Sequence, residues 1–142
     1  PAPPGDPVAL DLPSGTETIL LVEDEAAVRR LAAHILGERG YSVLAAPDGP
    51  EAIRLATTHD GPIHLLLTDV VMPGMNGKEV VSRIQAIHPA ISVLYMSGYS
   101  GDVIAHHDVS EHGRSFLAKP FTLETLTHKV RASLASTLPE SE

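Results

Sequence analysis

From Thr18 onward, short apolar runs alternate with longer segments in which apolar residues recur at helical spacing. The runs are Thr18–Val22, Tyr41–Ala45, Ile63–Thr68, Ile91–Met96 and Ser115–Ala118. They are short and mostly apolar, as strands covered on both faces are, and they predict five strands of a parallel sheet with helices on either side.

The intervening segments carry helix signals. Val28, Leu31, Ala32 and Ile35 recur at helical spacing, and Gly40 stands where that first helix would stop. Asp48 and Glu51 have the spacing of a capping box for the second, with Pro50 tolerated in its first turn. Asn76 and Glu79 repeat the spacing for the third, whose Val80, Ile84 and Ile87 predict one stripe. Ser100 can cap a short fourth helix, although His106–Arg114 is polar, contains Gly113 and shows no stripe. The last helix runs from a cap at Thr122 through Leu123, Leu126, Val130 and Leu134.

Residues 1–17 are rich in Pro, Gly and Asp and predict a flexible linker or arm, because they bury too little surface to offset ordering entropy. The domain is expected over 18–137, with a frayed tail over 138–142. With 142 residues, there is room for one domain and no second catalytic or DNA-binding unit. The 43% apolar and 20% charged composition supplies a core without staples. Having no cysteine excludes disulfides, thiolate metal sites and thiol nucleophiles, and a reducing, cytoplasmic setting fits. A net charge of −8 argues against nucleic-acid binding driven by phosphate neutralisation. No apolar run approaches the roughly 20 residues that span a bilayer, so no membrane contact is expected.

In a doubly wound parallel sheet, residues at the strand ends collect at the carboxyl edge, where such sheets bind ligands. The first strand is followed by Glu23, Asp24 and Glu25, the third by Asp69, the fourth by Ser97 and the fifth by Lys119. The flavodoxin-like order 2-1-3-4-5 puts the first and third strands side by side, so Glu23, Asp24 and Asp69 flank one crevice. Three crowded carboxylates are tolerable around a hard divalent cation such as Mg²⁺. Lys119 and Ser97 would face an anion across the gap, a layout suited to phosphoryl transfer with Asp69 as nucleophile.

Four segments in order carry a resemblance: Leu20-Leu21-Val22-Glu23-Asp24-Glu25, Thr68-Asp69-Val70-Val71-Met72-Pro73-Gly74-Met75-Asn76-Gly77, Met96-Ser97-Gly98-Tyr99 and Phe116-Leu117-Ala118-Lys119-Pro120-Phe121. Over roughly Glu17 to Ser136 the chain resembles receiver domains of response regulators and hybrid histidine kinases. The resemblance implies Asp69 as phospho-acceptor, and Mg²⁺ held by Asp24, Asp69 and the Val71 backbone carbonyl, with Glu23 acting through water. It implies Ser97 bonded to the phosphoryl group, Lys119 paired with it, and a cis Lys119–Pro120 bond. Ser97 and Phe116 would form the switch, changing the face of the fourth helix, fifth strand and fifth helix, which also offers a route to a homodimer. Glu23 stands where aspartate is frequent and Ser97 where threonine is, and both substitutions keep the chemistry. Phe116 has no hydroxyl, so it would report by packing alone. Val71 and Tyr99 occupy positions that govern water access in the family, and Val71 predicts slow self-dephosphorylation.

The implied donors are a histidine kinase or a histidine phosphotransfer domain, and the implied parent is a hybrid sensor histidine kinase. A free-standing regulator is the alternative. A magnesium-dependent aspartyl phosphohydrolase would want an acid at position 71, which is Val71. A degenerate receiver would not keep Glu23, Asp24, Asp69, Ser97 and Lys119 together, and no glycine-rich loop supports a nucleotide or flavin binder. His106, His107 and His112, with Asp108 and Glu111, read as solvated surface, and His34 as a lone surface residue.

Overall fold

Alternate strand residues face opposite sides of the sheet, so a strand apolar at every position needs cover on both. A computed structural model describes residues 12–98 and 115–135 and supplies that cover. The strands are β1 (Thr18–Val22), β2 (Ser42–Ala46), β3 (Leu65–Asp69), β4 (Ser92–Ser97) and β5 (Ser115–Ala118). All pair in parallel in the order β2-β1-β3-β4-β5. The helices are α1 (Ala26–Glu38), α2 (Gly49–Thr58), α3 (Gly77–Ile87) and α4 (Leu123–Ala135), the last being the fifth helix expected from the sequence. The expected fourth helix from Ser100, Tyr99, and the segment holding His106, His107, Asp108, Glu111 and His112 lie outside the described residues, as does the 138–142 tail.

One core joins Leu20, Val22, Leu66 and Val93 to Ala52 and Ala56 of α2 and Val80, Val81 and Ile84 of α3. The other joins Ile19, Leu21, Leu65, Leu67, Leu94 and Met96 to Ala32 and Leu36 of α1 and Leu126, Val130 and Leu134 of α4. Burying each such leucine contributes about 1.5–3 kcal/mol relative to exposure. The helix starts are capped as the sequence predicts, with Asp48 accepting from Glu51 N, Asn76 from Glu79 N and Thr122 from Thr125 N at 2.9–3.0 Å. Gly40, at φ 102°, ends α1 in the left-handed region that glycine tolerates.

Three expectations change. In α1 the fully buried positions are Ala32 and Leu36, while Leu31 is half exposed. Ile87 and Leu123 are also exposed, and in α3 Val81 joins Val80 and Ile84 in the core in place of Ile87. The expected arm does not run to residue 17 as a loose segment, because residues 12–17 are fastened to the domain. Leu12 is buried, Arg39 donates to the Leu12 and Pro13 carbonyls, and Arg131 donates to the Ser14 carbonyl. Arg131 also pairs with Glu17 at 2.6 Å. Among the described residues no helix is long and apolar enough to cross a membrane.

Candidate functional site

The chain leaves β1 for β2 on one side and returns through β3 on the other, so a crevice opens at the carboxyl ends of β1 and β3. Val22 is in register with Thr68, which puts Glu23 and Asp24 beside Asp69. Asp69 and Ser97 are the last residues of their strands, opposite Met96 and Ala118. Their backbones are therefore held by the sheet itself. Lys119 follows β5, and its N–H donates to the Ser97 carbonyl at 2.8 Å.

Gly77 closes the loop after Asp69. Its N–H donates to the Val70 carbonyl at 2.8 Å, and a Cβ there would come within 2.2 Å of the Asp69 carbonyl oxygen. A larger residue at 77 would push α3 and the loop after Asp69 apart.

Ligand oxygens of Glu23, Asp24 and Asp69 all lie within 4.8 Å of one another. Lys119 Nζ donates to Glu23 Oε1 at 2.9 Å and to Asp69 Oδ2 at 3.0 Å. The second Glu23 oxygen accepts from Glu25 N at 2.9 Å. Glu23 is wholly buried, Asp69 nearly so, and Asp24 is exposed. Burial pushes the Asp69 carboxyl up to about 7, with the Glu23 charge adding to the rise and Lys119 opposing it. Burial alone would lower the Lys119 ammonium, but its hydrogen bonds to Glu23 and Asp69 outweigh this and hold it above the ordinary lysine value.

A cleft of about 540 Å³ opens over these groups. Asp24, Asp69, Val71, Gly98 and Lys119 line it, with Val28 and Leu31 of α1 forming an apolar rim. Ser97 is buried at the end of β4. Phe116 is partly buried against the core that contains its neighbour Tyr95. The Lys119–Pro120 peptide is cis.

The donor set is all oxygen, with no thiolate or imidazole in the cluster, and such a set suits a hard cation of the Mg²⁺ type. Two of the three acids face the partly buried ammonium, whereas Asp24 accepts no hydrogen bond from the described residues and stays open to a cation. Sequence reasoning missed Arg29, whose NH1 donates to the Glu23 carbonyl at 2.8 Å. The available signal was a basic residue on α1 little more than one turn beyond an acid cluster.

The comparisons agree with this geometry. The response regulator receiver domain family model matches residues 19–131. The chain is 39% identical over 126 residues to the sensor kinase CckA of Brucella abortus, covering 89% of this chain but 13% of that protein. To the response regulator receiver protein CpdR of the same organism it is 31% identical over 116 residues, covering 82% of this chain and 95% of the relative. Among solved structures, the receiver domain of the hybrid histidine kinase CckA matches with 39% identity and a TM-score of 0.69, covering 82% of this chain and 98% of that one. A response regulator receiver domain protein from Clostridium thermocellum matches with 26% identity and a TM-score of 0.74, over 84% and 95% of the two chains. Sequence, topology and the acid cluster at the carboxyl edge thus agree that this chain belongs to the receiver domains of two-component phosphorelay systems.

Proposed function

We propose that Asp69 is the phospho-acceptor of this receiver domain. An Asp69 carboxylate oxygen attacks the phosphorus of a phosphohistidine, an acyl phosphate forms, the bond from phosphorus to the donor nitrogen breaks, and the donor imidazole takes up a proton. Asp24, Asp69 and the Val71 carbonyl would hold Mg²⁺, with Glu23 assisting through water. When bound, the ion would neutralise charge on the phosphoryl oxygens. Lys119 pairs with one phosphoryl oxygen and Ser97 donates a hydrogen bond to another. The observation that carries this reading is the cluster of three carboxylates and one ammonium at a single open cleft, which Asp24, Asp69 and Lys119 line with Glu23 buried behind them.

The readout follows from packing. Phosphate draws the Ser97 hydroxyl inward, Phe116 moves toward the vacated space, and the face around β5 and α4 changes, with homodimerisation through that face as one consequence. The donor is a histidine kinase or histidine phosphotransfer domain, in the cytoplasm, and no nucleic acid takes part. The similarity to CckA favours a hybrid sensor kinase as parent. The near-complete coverage of CpdR favours a free-standing regulator as the second reading.

The test is incubation with acetyl phosphate, with and without Mg²⁺, followed by intact mass. One phosphoryl group is expected on the wild-type protein with Mg²⁺, and none on Asp69→Asn. Equal uptake by the variant would refute the assignment.

A further inference from the structure

The start of α1 differs from the other described helix starts. Asp48, Asn76 and Thr122 each cap their helix with a side chain, whereas Glu25, the residue at the α1 cap position, makes no side-chain cap bond. Three acids stand just before that start, and acids at such positions ordinarily serve as caps. Here Asp24 and Glu25 line the cleft, and the turn that carries them is held by other bonds, one of them from Glu25 N–H to the Glu23 carboxylate.

Arg29 holds it. From α1 its guanidinium reaches back six residues and donates to the Glu23 carbonyl at 2.8 Å. Its own N–H donates to the Glu25 carbonyl at 2.9 Å as the helix begins. Glu23 is thereby fixed at every polar group: its N–H donates to the Ala46 carbonyl at 3.1 Å, its carbonyl accepts from Arg29, and its carboxylate accepts from Lys119 and Glu25. The Glu23 residue is wholly buried, so its carbonyl cannot exchange the arginine for bulk water without the turn opening.

We infer that Arg29 is a positioning residue for the acid cluster: it clamps the Glu23 carbonyl, and so sets both the seat of Lys119 on Glu23 and the direction in which Asp24 leaves the turn. This inference rests on the reading of Asp24 and Asp69 as cation ligands. Arg29 is neither one of the proposed cation ligands nor one of the proposed phosphoryl contacts.

The sign of one measurement separates clamping from simple charge. Arg29 is a positive charge near a cation site, so by Coulomb's law alone its removal tightens Mg²⁺ binding. If it positions the acids, its removal weakens binding, by roughly tenfold or more, as loss of a group that orients metal ligands does. Mg²⁺ affinity is measured by calorimetry on the wild-type protein, Asp24→Asn, Arg29→Met and Arg29→Lys, with folding checked by circular dichroism. Arg29→Met is expected to weaken binding, and Arg29→Lys, which keeps the charge and one donor, to fall between it and wild type. Affinity in Arg29→Met equal to or tighter than wild type overturns the inference. Should that variant not fold, the same criterion applies to Arg29→Lys. If the wild-type protein itself binds no Mg²⁺, the cation reading fails, and exchange of the Glu25 amide then decides the clamp. Faster exchange in Arg29→Met than in wild type supports it, and unchanged exchange overturns it.

Discussion

Two groups of charged side chains sit at opposite ends of the sheet and use similar bonds to different ends. At the carboxyl edge Lys119, 13% exposed, bridges Glu23 and Asp69, which are 0% and 6% exposed, with Asp24 alongside. At the amino edge Arg131, 34% exposed, pairs with Glu17, 25% exposed, and touches Tyr41. The amino-edge pair balances charge for charge and simply fastens residues 12–17 to α4. The carboxyl-edge group gathers three acids around one ammonium that pairs with only two of them, so it holds an excess of negative charge at the cleft. On the proposed reading, that excess costs stability and suits the site to a cation and then an anion.

The sharpest way to break the comparison is to remove the excess. Asp69 is held up to about 7 in the folded state, against an ordinary 3.8. Between those values the native state carries more protons than the unfolded chain, so stability falls as pH rises through that window. In Mg²⁺-free buffer at pH 8, Asp69→Asn is expected to be more stable than wild type by on the order of 2 kcal/mol, with the gain gone near pH 3.5. Urea titrations at the two pH values measure it, and a variant less stable at pH 8 would remove the argument for stored repulsion.

A smaller effect is expected at the rim of the same cleft. Val71 is exposed there and carries no group able to orient water. Val71→Asn is expected to shorten the lifetime of the phosphorylated domain several-fold, read by loss of label over time. An unchanged lifetime would show that residue 71 does not gate water.

The smallest effect belongs to the amino edge. The Arg131 hydrogen bond holds the Glu17 carboxyl below its ordinary 4.5, so the pair's contribution is present above that value and is lost as pH falls below it. Glu17→Gln is expected to cost less than about 1 kcal/mol at pH 7, discounted for solvent screening, and less still near pH 3. Thermal melts at both pH values test this. Sensitivity to Mg²⁺ in this variant's stability change would mean the two ends are coupled.

The strands and the gathering of Glu23, Asp24, Asp69 and Lys119 were legible because a buried parallel strand leaves an uninterrupted apolar run and its end residue falls at a known edge. The runs misplaced β2, β3 and β4 by one or two residues, since ladder pairing, rather than apolarity, decides where a strand stops, and pairing takes Asp69 and Ser97 into the sheet. The α1 stripe was partly misread: Leu31 lies on the rim of the cleft, while Ala32 and Leu36 are buried in the sheet's core and Ile35 packs against it. Residues 12–17 looked unable to order because a judgement from apolar content cannot see fastening by Arg39 and Arg131. Arg29 escaped for the same reason: a charged residue on a helix reads as solvated until its carbonyl partner is known.

The decisive measurement is the location of the phosphoryl group after phosphotransfer. Borohydride reduction of the acyl phosphate followed by peptide sequencing in a mass spectrometer should mark Asp69 alone. A mark on Asp24 or Glu23, with Asp69 unmodified, would contradict the division of labour among the three acids.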